Sequence, residues 1–153
     1  MIVERMRLNT QRLTTIRLEE PGLSNVWWPF ALDEDDADNE KILALWLNST
    51  LGMILMFSYR VPTEGPFIQF KKPSLSIVPV LDPRSLASAQ KKILVDAYDD
   101  VCRKNLGRLS EAGSDTARMG IDKAMQEALE LPNIETIRQL FADEPVITAK
   151  PLY

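Results

Sequence analysis

Carboxylates are the only side chains in this sequence grouped in a way that invites chemistry. Six acids fall between Asp33 and Glu40, and Asp99-Asp100 form a second pair. Such groups can act as general acid and base or gather a hard cation through oxygen ligands. Neither arrangement is complete. An EF-hand loop needs ligands at alternating positions, a central glycine and a distal glutamate, and residues 33–40 hold no glycine. The alternative is a solvated loop that sets negative charge at the start of a helix, with Asp38 or Asn39 as its cap. Asp99-Asp100 has no nucleophile beside it and reads as the wet face of a helix.

The rest of the inventory excludes more than it suggests. The chain has no histidine and a single cysteine, Cys102. Zinc and iron–sulfur sites therefore lack ligands, and serine or cysteine triads lack their usual base. One cysteine permits no internal disulfide, which fits a reducing, cytoplasmic setting. Cys102 itself reads as a small apolar filler within a helix. No metal, no cofactor and no catalytic residue is expected.

The elements that would position any site follow from periodicity. At 153 residues the chain is expected to form a single domain, with a mixed β/α core over 1–82 and a helical part over 83–153. Ile2-Val3 with Met6-Arg7-Leu8, then Leu13–Leu18, are rich in β-branched and apolar residues and suggest strands joined by a turn at Asn9–Gln11. Leu23–Trp28 is a third candidate strand. Its neighbouring Trp27 and Trp28 would face opposite sides, placing at least one near a surface or interface. A strongly apolar helix is expected from Glu40 to Ser58, with Asn48-Ser49-Thr50 and Gly52 permitting close packing or a bend. Its apolar run could cover ~27 Å. The polar triplet at its middle and the charges before it make it a buried core helix, with no membrane partner expected. A turn over Pro62–Pro66 and two strands, Phe67–Phe70 and Leu75–Val78, follow. A long helix opens at Ser85 and ends near Asn105 or Gly107, with Leu86, Ile93, Leu94 and Val101 among its apolar positions. Another runs from Ser114 or Asp115 to Leu129. A short one begins at Asn133 and carries Ile134, Ile137, Leu140 and Phe141. The expected class is α+β.

Net charge is −4, but its distribution is uneven. Residues 1–18 hold four arginines against one glutamate, a net of +3, whereas 107–144 hold four bases against eight acids, a net of −4. A basic front could meet phosphate on one face.

Several segments, taken in order, resemble the C-terminal target-recognition region of N6-adenine DNA methyltransferases and of type I restriction specificity subunits. Leu45–Gly52 looks like that family's leucine–Asn–Ser helix, and Gly65-Pro66 through Lys71-Lys72 like its glycine turn and strand. Ser76–Val80 is similar to its Ile-Pro strand end, and Gln90–Ile93 opens the long helix that follows. Asn25–Pro29 resembles the segment upstream. The resemblance covers roughly residues 24–106.

The resemblance implies a domain that docks on duplex DNA and reads bases, while a separate domain binds S-adenosylmethionine and methylates a flipped adenine. This chain has no Asn-Pro-Pro-aromatic tetrapeptide and no Gly-x-Gly loop, so it is expected not to transfer methyl groups itself. Double-stranded DNA and a catalytic methyltransferase subunit or domain are the expected partners. Arg5, Arg7, Arg12, Arg17, Lys71 and Lys72 are the candidate phosphate contacts. Gln69, or an arginine on the N-terminal strands, is the candidate for base edges. Trp27 and Trp28 are candidate interface residues, and they favour the alternative of a protein-interaction module in a restriction or phage-defence complex.

Overall fold

A computed structural model describes residues 1–20, 22–32, 36–61, 63 and 67–148. It has the mixed α+β architecture, with a helical C-terminal part. The strands are short: β1 Ile2–Val3, β2 Arg5–Arg7, β3 Trp27–Trp28 and β4 Phe67–Gln69. The helices are α1 Ala37–Asn48, α2 Thr50–Ser58, α3 Lys72–Leu75, α4 Ser88–Val101, α5 Thr116–Leu129, α6 Glu135–Asp143 and α7 Pro145–Thr148. Single 3-10 turns occupy Pro83–Ser85 and Leu109–Glu111.

Both strand pairs are antiparallel. β1 pairs with β3, and β2 pairs with β4. The switch falls at Glu4, whose N–H donates to Val26 O at 2.9 Å while its own carbonyl accepts from Phe70 N at 2.7 Å. One N-terminal stretch thereby ties two distant segments to the helices.

Where the sequence suggests a second strand at Leu13–Leu18, only a bridge between Ile2 and Thr15 forms. The segment is extended, with Val3 N donating to Thr14 O, but its far edge is taken by a side chain. Asn48 Oδ1 accepts from Thr14 N at 3.0 Å and Asn48 Nδ2 donates to Thr15 O at 2.8 Å. An amide from a helix end thus fills the slot of a neighbouring strand. The third candidate strand shrinks to Trp27–Trp28, because Leu23–Asn25 has no ladder partner and stands in solvent.

The core helix is two helices meeting at 74°. Ser49 ends α1 and caps α2: its N–H and Oγ both donate to Trp46 O, and Oγ accepts from Gly52 N. The chain turns so tightly that a Cβ on Gly52 would lie 2.0 Å from Trp46 O. Every residue from Ile42 to Thr50 is buried, so the corner is the centre of the molecule. Among the described residues no single helix is long and apolar enough to cross a membrane. The cap of α1 is Asp36 rather than Asp38 or Asn39; its carboxylate accepts from both of their N–H groups. Asp33–Asp35 and the turn at Glu64–Pro66 lie outside the described residues.

Leu75–Val78 is the end of a helical turn instead of a strand, since Pro73 within the first turn of α3 suits helical φ and cannot donate to a ladder. The helix expected from Ser85 starts at Ser88, after a 3-10 turn capped by Asp82, and ends at Val101. Cys102 is therefore an exposed C-cap residue and fills no core. In α6, Ile137 and Leu140 are exposed, while Arg138 and Ala142 face inward. By contrast α5 runs from an Asp115 cap to Leu129, with Ile121, Ala124, Met125 and Ala128 buried as their spacing requires. It packs on α4, which in turn packs on α1.

Candidate nucleic-acid interface

Alternation along β2 decides where the arginines go. Met6 and Ile68 are register partners and both lie in the core, 2% and 5% exposed. Their neighbours must face outward. Arg5 pairs in register with Gln69, and Arg7 with Phe67. The outer face of this two-stranded ribbon is therefore Arg5, Arg7, Gln69 and Phe67, with both arginines and Phe67 exposed.

Phe70 fixes what comes next. Its ring is fully buried and stacks on Phe57 at 6.1 Å, its N–H bonds to Glu4 O, and its carbonyl accepts from Trp28 Nε1 at 3.0 Å. Lys71 and Lys72 follow directly, and both are exposed. Lys72 Nζ sits 4.7 Å above the Trp28 ring, a cation–π contact that holds its chain near the ribbon. Both tryptophans are half-buried. Trp28 serves as the post joining β3, Phe70 and Lys72, while Trp27 packs against the core.

Among the described residues, Arg5, Arg7, Lys71 and Lys72 enter no ion pair; the acid nearest in sequence, Glu4, accepts from Gln69 Nε2 at 3.4 Å. Four exposed cations without carboxylate partners among the described residues, and a half-buried amide, thus lie on the β2–β4 ribbon and the two residues that follow Phe70. The other two candidates do not join them. Arg12 Nη1 donates to Leu106 O at 2.8 Å, and Arg17 Nε pairs with Glu40 at 2.9 Å. The basic front is divided in two.

Two features escaped the sequence. The first is a buried polar junction at the α1–α2 corner. Asp122, fully buried on α5, accepts from Thr50 N at 2.8 Å and from Thr50 Oγ1 at 2.7 Å, and pairs with Arg138 Nη1 at 3.3 Å. Arg118, also fully buried, donates from Nη1 to Asn48 O and from Nη2 to Arg12 O, each at 2.8 Å. Burial pushes the Arg118 guanidinium below its ordinary range, while Asp115 and Asp122 oppose that shift. Asn48-Ser49-Thr50 therefore joins the β-rich segment to the helical half. The spacing of Arg118 and Asp122, four apart on the face that carries Ile121 and Met125, is the signal that could have revealed it.

The second is a cavity of about 260 Å³ beside Arg12 and Arg17. No set of three or more His, Cys, Asp or Glu among the described residues could hold a metal. Asp99 and Asp100 are exposed and pair with Lys41 and Lys104. No protein-family model, curated protein or solved structure matches this chain.

Proposed function

We propose that this chain is a duplex-DNA recognition domain that works beside a separate catalytic methyltransferase chain and transfers no methyl group itself. The observation that carries the reading is the β2–β4 register, which sets Arg5, Arg7 and Gln69 on one outward ribbon face, where neither arginine pairs with a carboxylate among the described residues. A two-stranded ribbon fits the B-DNA major groove, about 12 Å wide. Gln69 there can read an adenine edge in bidentate fashion, while Arg5 and Arg7 would meet backbone phosphates. Lys71 and Lys72, at the end of the ribbon, would lie on the flanking phosphates and set register. The resemblance of residues 24–106 to methyltransferase target-recognition regions points to the same ligand.

Fluorescence anisotropy with a labelled duplex tests this. Binding is expected at about 50 mM salt, where phosphate contacts are strongest, and it should weaken when Arg5 and Arg7 are both changed to glutamine. Absence of binding at that salt would overturn the reading as a stand-alone activity.

A protein-interaction module is favoured by a different observation. Leu18, Leu23, Val26 and Phe30 are all exposed along one stretch of chain around β3. Co-purification with a methyltransferase subunit whose DNA affinity then stays unchanged would support that second reading.

A further inference from the structure

The arginines that leave the ribbon end at a cavity. Residues 12–17, the middle of α1 and the C-terminal end of α4 line a half-open pocket of about 260 Å³. Leu13, Ile16, Leu45, Val101, Leu106 and Ile121 supply apolar wall. Arg12, Arg17 and Lys104 supply positive charge, and no carboxylate among the described residues lines the space. Of these cations, Lys104 is matched by Asp100 and Arg17 by Glu40; among the described residues Arg12 enters no ion pair, and its one side-chain hydrogen bond runs from Nη1 to Leu106 O. Two polar groups on the wall are also unspent. Among the described residues, Thr15, 2% exposed, has no partner for Oγ1, and the half-buried Tyr98 enters no side-chain hydrogen bond.

We propose that this cavity binds a small amphipathic carboxylate, with its apolar body against Leu13, Ile16 and Val101 and its carboxylate on Arg12. Three observations select that chemistry. The apolar wall favours a ligand with an apolar body over a bare inorganic anion, which would leave Leu13, Ile16, Val101 and Leu106 uncovered. Unbalanced positive charge at the rim disfavours a cation and leaves a neutral ligand without its strongest contact. The volume exceeds the ~150 Å³ that accommodates benzene, leaving room for an aromatic or short aliphatic body with one charged group. The site is separate from the β2–β4 ribbon, so it neither requires nor predicts DNA binding.

Cys102 makes the site readable, because it lines the cavity, is exposed, and is the sole thiol in the chain. The experiment follows alkylation of Cys102 by iodoacetamide, which is neutral, in the full chain at constant ionic strength. Benzoate and octanoate are expected to slow alkylation with apparent dissociation constants of about 1 mM or tighter. Benzamide, with the same ring and no charge, should protect at least about tenfold more weakly. Arg12→Met should reduce benzoate protection by about tenfold or more, whereas Arg5→Gln, outside the cavity, should leave it unchanged. Because Arg12 also bonds Leu106 O, methyl shifts of Leu13 and Ile16 in wild-type protein give a readout that needs no variant. Equal protection by benzamide would overturn the anion assignment. Unchanged alkylation together with unmoved methyl signals in both carboxylates would overturn the site.

Discussion

Asp122→Ala should be among the most damaging single changes in this chain, and its cost follows from what the carboxylate holds. It accepts the N–H and hydroxyl of Thr50 and pairs with Arg138, all at positions 4% exposed or less. Removing it leaves a buried guanidinium without its counter-charge, which costs about 3–5 kcal/mol. It also leaves the Thr50 N–H unsatisfied, worth about 1–3 kcal/mol. The two costs share one group and do not simply add, so about 4 kcal/mol is expected, against the 5–15 kcal/mol by which typical domains are stable, roughly. With an m value of about 2 kcal/mol per molar urea, the midpoint should fall by about 2 M. Asp122→Asn retains an acceptor for Thr50 N and should lose about 1 kcal/mol less. A double-mutant cycle with Arg138→Met isolates the ion pair. Once Asp122 is gone, removing Arg138 should cost less than in wild type, with a coupling of about 1–3 kcal/mol. A urea midpoint within about 0.5 M of wild type for Asp122→Ala, or strictly additive effects in the cycle, would refute the reasoning.

The glycines of two helices should respond in opposite directions. Gly52→Ala would bring a Cβ to 2.0 Å from Trp46 O, so urea denaturation should show a loss of at least about 2 kcal/mol. Gly120→Ala meets nothing within 4 Å and should gain about 0.5–1 kcal/mol from helix propensity alone. Alkaline titration should single out Tyr98, whose hydroxyl is raised above the ordinary 10.0 by burial, with Arg17 and Lys41 opposing the shift. The folded state thus favours the neutral phenol. That stability is complete below pH 10 and is lost as pH climbs through the raised value, so Tyr98→Phe should outlast wild type there. Tyrosinate absorbance followed against pH checks it: the variant should lack the latest part of the rise.

The helical half was legible because its signals are local. Asp115 and Leu129 mark α5 by a cap and an apolar stripe, and both ends lie where that pattern puts them. The β-rich half was legible in composition but not in pairing. Thr14 and Thr15 have strand-like side chains, yet their outer edge bonds to an amide more than thirty residues away. No periodicity can announce such a contact. The Asn48–Thr50 triplet signalled a bend, and the structure adds why it is polar: each of its residues satisfies backbone or charge at a buried corner. For the candidate site, Arg5 and Arg7 could be read as a pair from their spacing of two. Gln69 could be named, but its place opposite Arg5 required the long-range pairing of β2 with β4. Arg12 and Arg17 looked equivalent to them in a charge count, and only the packing of residues 12–17 against α1 and α4 separates the two groups.

If the β2–β4 ribbon is the face that meets DNA, its four cations will set the salt dependence of duplex binding. Should Arg5, Arg7, Lys71 and Lys72 each neutralise one phosphate, log K should fall with log salt at a slope of about −3.6. That corresponds to roughly 150-fold weaker binding at 200 mM than at 50 mM. Changing Arg5 and Arg7 together to glutamine should halve the slope to about −1.8, whereas Arg12→Gln should leave it unchanged. A slope indifferent to the Arg5 and Arg7 changes, or one that drops equally with Arg12→Gln, would contradict the account.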